Sequence, residues 1–443
     1  MEQRLFSRED LKKLMVPLVI EQVLAISIGL FDTLMVSSCG EAAVSGVSLV
    51  DSISVLLIQI LSALATGGAV VCSQYIGKKM PERAKLSAGQ LIFIMLVTSG
   101  MVIVLFLHKF LLRAIFGQID ADVMASAEIY FIISALSYPF LGVYNAGAAL
   151  FRAIGNSKIS MYTSLVMNIV NIGGNALLIF GFGMGVAGAA TATLVARVIS
   201  ALVMLMLLMK KENPLCIATR GCMKPQWEVI AKILKIGIPS GVENGMFQVG
   251  KLLVSSLTAT FGTAAIAANA VANSIAGFIN IPGISIGLAI VTVIGRCIGA
   301  GEKEQARYYS KRLMGLAYLG MLLTNVALVF GVRPLVSCFA LSGEAEEIAV
   351  ELLISYAVCA VLIWPLSFTL PNVLRAAGDA KYTMGVSVFS MWVFRVASSY
   401  FFADTLGLGV LGVWVAMYVD WVFRSLFFAV RYKRGRWMEK RVV

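Results

Sequence analysis

Lys13–Gln22 reads KLMVPLVIEQ, and 222 residues later Lys235–Asn244 reads KIGIPSGVEN. The correspondence sets Pro17 on Pro239 and Glu21 on Glu243, each glutamate about one helical turn after its proline. The same offset carries AAVSGVSLVDSIS (42–54) onto AAIAANAVANSIA (264–276), with Asp51 opposite Asn273. Further on, FRAIGNSK (151–158) matches LRAAGDAK (374–381), and Gly185, Val186 and Gly188 match Gly409, Val410 and Gly412. The chain is an internal duplication.

What is duplicated follows from composition. Of the 443 residues, 59% are apolar and only 14% charged, too few polar side chains to clothe soluble domains of this total size. About 20 apolar residues cross the hydrocarbon of a bilayer, and on that rule twelve spans are expected. They lie near 14–38, 44–72, 88–108, 123–151, 159–181, 185–209, 232–261, 265–295, 313–332, 347–374, 382–403 and 409–430. The fold class is therefore an all-α membrane protein of twelve transmembrane helices in two parallel six-helix repeats. The expected division is an N-terminal lobe over 1–210, a cytoplasmic linker over 211–231, and a C-terminal lobe with a basic tail over 232–443. Six spans per half is an even number, so both halves enter the membrane in one orientation, an arrangement transporters use to rock about a shared site.

The placement of Lys and Arg tests this topology, because short cytoplasmic loops collect them. With the N-terminus inside, 29 fall inside, three outside (Lys109, Arg113, Arg333) and four within spans (Arg197, Lys251, Arg395, Arg424). The net charge of +12 is thereby a product of topology, with no domain to bind nucleic acid. The expected location is the inner (cytoplasmic) membrane, multi-pass, with both termini cytoplasmic. The first apolar run, with Glu21 and Asp32 inside it, does not read as a cleavable signal. Seven cysteines without a C-x-x-C and a single histidine, His108, give little from which to build a metal centre, and Cys216 and Cys222 are expected as free thiols. No metal and no cofactor is expected. An enzyme is excluded on the same ground of absent clustered catalytic groups.

The order and spacing of these features resemble the multidrug and toxic compound extrusion (MATE) antiporters of bacterial type, from Pro17 to about Phe428. The residues that carry the resemblance are the first span PLVIEQVLAISIGLFDTLMVS (17–37), the paired R-A-x-G-[ND]-x-K loops and the asparagine-bearing MNIVNIGGNALLIFG (167–181). The G-x-G-V-x-G openings of the sixth and twelfth spans complete them. The resemblance implies efflux of amphipathic, usually cationic, compounds in exchange for protons or Na+; the expected partners are small hydrophobic or cationic drugs and membrane lipid, and the expected state is a monomer. It implies a coupling role for Asp32, with Asn171, Asn175 and Thr193 as its polar network, and a bending role for Pro17, to which the repeat adds Pro239. Many bacterial relatives carry an aspartate where Asn175 stands. One sodium-coupled branch has an extra glutamate after Glu243 and a tenth-span aspartate, where this chain has Trp364 and apolar neighbours, so proton exchange is the expectation and sodium coupling the alternative. A lipid-linked oligosaccharide flippase is a further alternative, but such proteins need several arginines for a polyanionic headgroup, and few lie in spans here.

A carboxylate is costly in hydrocarbon when ionised, so such a group readily takes up a proton. Asp32 reads either as that proton site or as an interfacial cap near Ser37 and Gly40. Glu21 lies eleven residues earlier, on nearly the same helix face and roughly 16 Å along the axis. Glu21 and Glu243 read either as secondary coupling or substrate groups or as anchors of the first and seventh spans. Lys251 and Asn145 are candidates for substrate contact, Lys251 also for an ion pair with a carboxylate. Asp420 reads chiefly as a structural ion pair with Arg424 one turn on, or with Arg395. The halves are not chemically alike: Val254 stands opposite Asp32, Lys251 opposite Gly29, and Phe394 opposite Asn171.

Overall fold

A computed structural model describes residues 4–106, 117, 120–218, 221–339, 341–440 and 442–443. Lys109, Arg113, His108, Arg220 and Arg441, which entered the charge and histidine readings, lie outside these residues. Thirteen helices are followed here: α1 Arg8–Ser37, α2 Glu41–Gly77, α3 Pro81–Phe106, α4 Ala121–Ala153, α5 Ser157–Gly181, α6 Gly185–Met209 and α7 Trp227–Ala259. They continue as α8 Thr263–Ile279, α9 Ile281–Ala300, α10 Lys303–Ser337, α11 Gly343–Ala377, α12 Ala380–Thr405 and α13 Gly409–Lys433. Eleven are long and apolar enough to cross a membrane, α8 is a shorter apolar helix, and α7, which covers the expected seventh span and carries Lys232, Lys235, Glu243 and Lys251, is not among the eleven.

The start of α1 is set locally. The Ser7 hydroxyl accepts from the Asp10 amide at 3.1 Å, and the Asp10 carboxylate accepts from the Ser7 amide at 2.9 Å, a reciprocal cap that satisfies two otherwise orphaned donors. Pro17 lies inside α1 and Pro239 inside α7. The two R-A-x-G turns end α4 and α11 in the same way. Gly155 and Gly378 take φ of 80° and 102°, a region that costs other residues a steric penalty, and the residues after them return an amide to Phe151 and Leu374 at 2.9 Å. The duplication therefore extends to the atoms that terminate helices.

The expected eighth span, 265–295, is two helices. Pro282 has no N–H and obstructs the carbonyl a turn earlier, so the ladder breaks at Asn280 between α8 and α9. The Ile279 carbonyl at the break is paired by Thr324, which donates to it at 3.1 Å, and Tyr356 donates to the Asn280 side-chain Oδ1 at 2.7 Å.

By packing, residues 7–241 form one compact unit, and residues 1–6 with 242–443 form the other, so the division falls inside α7 just after Pro239. The sequence reading had placed a linker at 211–231. That segment is instead held onto the first unit: Gln90 donates to the Cys222 and Lys224 carbonyls at 2.8 and 2.7 Å and accepts from the Gln226 amide at 2.9 Å. In the first unit α4 packs along both α2 and α6, while α1 lies along α5. In the second, its repeat counterpart α11 packs against α8, α10 and α13 around Tyr356, Trp364, Trp414 and Trp421. Gly188 and Gly412 hold equivalent places: a side chain at either would meet the backbone of Leu178 or of Phe402 and Ala403, at 3.0 and 2.6 Å respectively. Those facing residues belong to π-helical turns, 176–181 and 401–405, wider turns that often mark functional sites. All seven cysteines are free thiols.

Candidate functional site

In the first unit the polar residues named from sequence converge. Asp32, half-buried on α1, accepts a hydrogen bond from Asn175 Nδ2 on α5 at 2.5 Å. One turn earlier on α5, Asn171 donates to Thr193 Oγ1 of α6 at 3.1 Å and also reaches toward the Asp32 carboxylate. Asp32 thus faces across to α5, while the Ser37 hydroxyl at the helix end bonds the Leu34 carbonyl. The Oδ1 atoms of Asn171 and Asn175 are buried without a hydrogen-bond partner among the described residues, as is Nδ2 of Asn145 on α4. Buried polar atoms are seldom left unpaired. This cluster keeps acceptor capacity in reserve beside a carboxylate.

Three residues belong to this cluster that the sequence reading did not place there. Asp51 on α2 is close enough to repel Asp32 and accepts a hydrogen bond from Tyr130 at 3.5 Å. Arg197 on α6 attracts both carboxylates, while its Nη1 donates to Ser137 at 2.5 Å. The apolar-looking face of α2 gave no reason to single out Asp51. The only available signal was its alignment with Asn273, which shows that the position is polar in both halves.

Glu21 and Glu243 stand apart from this cluster and are consumed by arginines. Glu21 Oε1 accepts from Arg152 at 2.8 Å and Oε2 from the Ser160 hydroxyl at 2.6 Å; its side chain is 7% exposed. Glu243 pairs with Arg375 at 2.7 Å and with Arg424 at 3.6 Å; its side chain is 4% exposed. The two contacts are the same interaction made twice, because Arg152 and Arg375 are the arginines of the two R-A-x-G loops. Of the two readings open in the sequence, this geometry is that of an anchor between α1 and the end of α4, and between α7 and the end of α11. Both partners occupy repeat-matched positions, but the repeat alone does not pair them.

In the second unit the carboxylate expected opposite Lys251 is missing. Among the described residues Lys251 makes no ion pair, and the nearest charge acting on it is Arg395. Asp420 pairs with Arg395 at 4.0 Å and with the Ser390 hydroxyl, whereas Arg424, the partner expected one turn away, turns to Glu243 and donates to Ser387 at 3.0 Å. Arg424 nonetheless lies between two carboxylates, in ion-pair contact with Glu243 and within the field of Asp420.

Two repeat-related helical units, each with membrane-length apolar helices and charged groups buried within them, define an all-α membrane transporter of the duplicated, two-lobed class. The chain belongs to the MATE family: the MatE family model matches residues 17–177 and again 239–401, once per repeat. It is 31% identical to the uncharacterized transporter YisQ of Bacillus subtilis (strain 168), over 99% of each chain. It is 26% identical to the probable multidrug resistance protein NorM of Thermotoga maritima, covering 98% of this chain and 94% of that one. An outward-facing multidrug resistance MATE family transporter of solved structure superposes with a TM-score of 0.91, at 20% identity, over 97% of this chain and 96% of that one. A MATE structure in the bent conformation gives a TM-score of 0.89 at 20% identity, over 98% and 96% of the respective chains.

Proposed function

We propose that this chain is a multidrug exporter that expels amphipathic, cationic compounds in exchange for protons by alternating access. It would act as a monomer in the inner membrane with both termini cytoplasmic. The observation that carries the reading is the Asp32–Asn175 hydrogen bond within membrane-spanning helices. An amide carries both a donor and an acceptor, so Asn175 can hold Asp32 in either protonation state: Nδ2 donates to the carboxylate, and Oδ1, otherwise unpaired, accepts from the protonated acid. A proton site that must load and unload needs a neighbour of this kind.

Proton uptake at Asp32 removes the charge that orients Asn175, which frees α1 to shift against α5. Pro17, inside α1, supplies a point where the backbone ladder is already short of one donor and bends at least cost. The relatives described as multidrug resistance proteins support the substrate class. Drug efflux from proteoliposomes, with proton and sodium gradients imposed separately, tests the proposal. Asp32→Asn is expected to abolish proton-driven efflux while the variant inserts and melts like the parent. Full activity of that variant, or transport driven by sodium alone, overturns it.

A further inference from the structure

The second unit holds a cavity of 340 Å3 at the place where the repeat puts the Asp32 cluster of the first. Its wall includes Val254 and Asn273, the counterparts of Asp32 and Asp51, and Lys251, the counterpart of Gly29. Both carboxylates have been lost in this half and a cation gained. A second cation, Arg395, lines the same cavity; it is 7% exposed, and its Nε has no hydrogen-bond partner. Among the described residues the carboxylate paired with Arg395 is Asp420, at 4.0 Å; it is fully buried and is not part of the cavity wall. It balances Arg395. Lys251 remains exposed to the cavity with no carboxylate to meet it.

We propose that this cavity binds an amphipathic organic anion, its carboxylate or sulfonate held between Lys251 and Arg395 and its ring system against Trp414 and Val254. The volume falls within the range of small-molecule pockets, which combine apolar walls with a few fixed polar groups. Asn273 donates into its own helix, to the Asn269 carbonyl at 2.8 Å and Oδ1 at 3.0 Å, and Trp414 Nε1 donates to the same Oδ1 at 3.0 Å. Those polar groups are thus already engaged, and the two cations are the groups left for a ligand. An unpaired guanidinium nitrogen beside an unpaired ammonium is costly in a membrane interior, and an anion bridging them relieves that cost. The site is separate from the proton cluster, and binding here does not depend on the coupling ion.

The test is equilibrium binding of naphthalene-1-sulfonate to the purified full-length protein in detergent, with naphthalene-1-methylammonium as the isosteric cation. The sulfonate is expected to bind and the ammonium not to displace it. Lys251→Gln is expected to weaken sulfonate binding by roughly tenfold or more, the loss of one charge-assisted contact, and Lys251→Arg to retain it. Lys251 carries no structural ion pair, so its variants are not expected to unfold the protein; Arg395→Gln, which deserts Asp420, is the riskier variant and is not needed. Displacement of the bound sulfonate by the ammonium, or unchanged sulfonate affinity in Lys251→Gln, overturns the proposal. Displacement by short-chain phosphatidylglycerol at equal concentration overturns the small-molecule assignment in favour of a lipid phosphate.

Discussion

Removing the charge of Glu243 or Glu21 gives a direct measure of what the repeat-matched ion pairs do. In Glu21→Gln, Arg152 loses its carboxylate at 2.8 Å while 15% exposed. In Glu243→Gln two guanidinium groups are deserted, Arg375 at 2.7 Å and Arg424 at 3.6 Å, the latter only 3% exposed. Breaking a buried pair by removing one partner costs about 3–5 kcal/mol, because the remaining charge keeps its desolvation penalty and loses its compensation. Glu21→Gln belongs at the low end of that range, since Arg152 keeps some access to solvent. Glu243→Gln belongs at the upper end. For a unit of 150–250 residues each kcal/mol corresponds to roughly 2–4 °C in Tm, so losses on the order of 10 °C are expected, larger for Glu243 than for Glu21. The assay is thermal unfolding of the detergent-solubilised protein. The pairing is checked by the double variant Glu21→Gln with Arg152→Gln, which should recover much of the single loss. A Glu21→Gln protein that melts like the parent yet no longer transports would refute the anchoring role and return Glu21 to the coupling machinery.

Two further outcomes follow from local geometry. Gly378→Ala forces a side chain onto a φ of 102° and is expected to lower stability by about 1–2 kcal/mol, seen as a drop of a few degrees in Tm, with Gly155→Ala behaving alike. The Arg333–Glu347 pair, with both side chains more than 60% exposed, is screened by solvent, so Arg333→Ala should shift Tm by no more than the scatter of replicate melts.

The duplication, the all-α character and the apolar runs of membrane length were legible in the chain. They rest on residue identity at a fixed offset and on apolar run length, rules that act wherever the chain goes. Asp32 stood out as a carboxylate inside an apolar run, whereas Asn171, Asn175 and Thr193 came from the family resemblance, and the packed structure brings the four together. Which charge meets which was not legible. Glu21 and Arg152 are separated by 131 residues, and nothing within either segment distinguishes an anchored glutamate from a free one. Asp420 pairs with Arg395 although Arg424 is the nearer in sequence, and Arg424 meets Glu243, an arrangement set across three helices. Similarly, the Ile279 carbonyl at the break finds its partner in Thr324, on another helix. Sequence alone determined which residues must be buried in the membrane. Only the packed structure decided their partners, since the energy of a buried charge is set by what lies within a few ångströms of it.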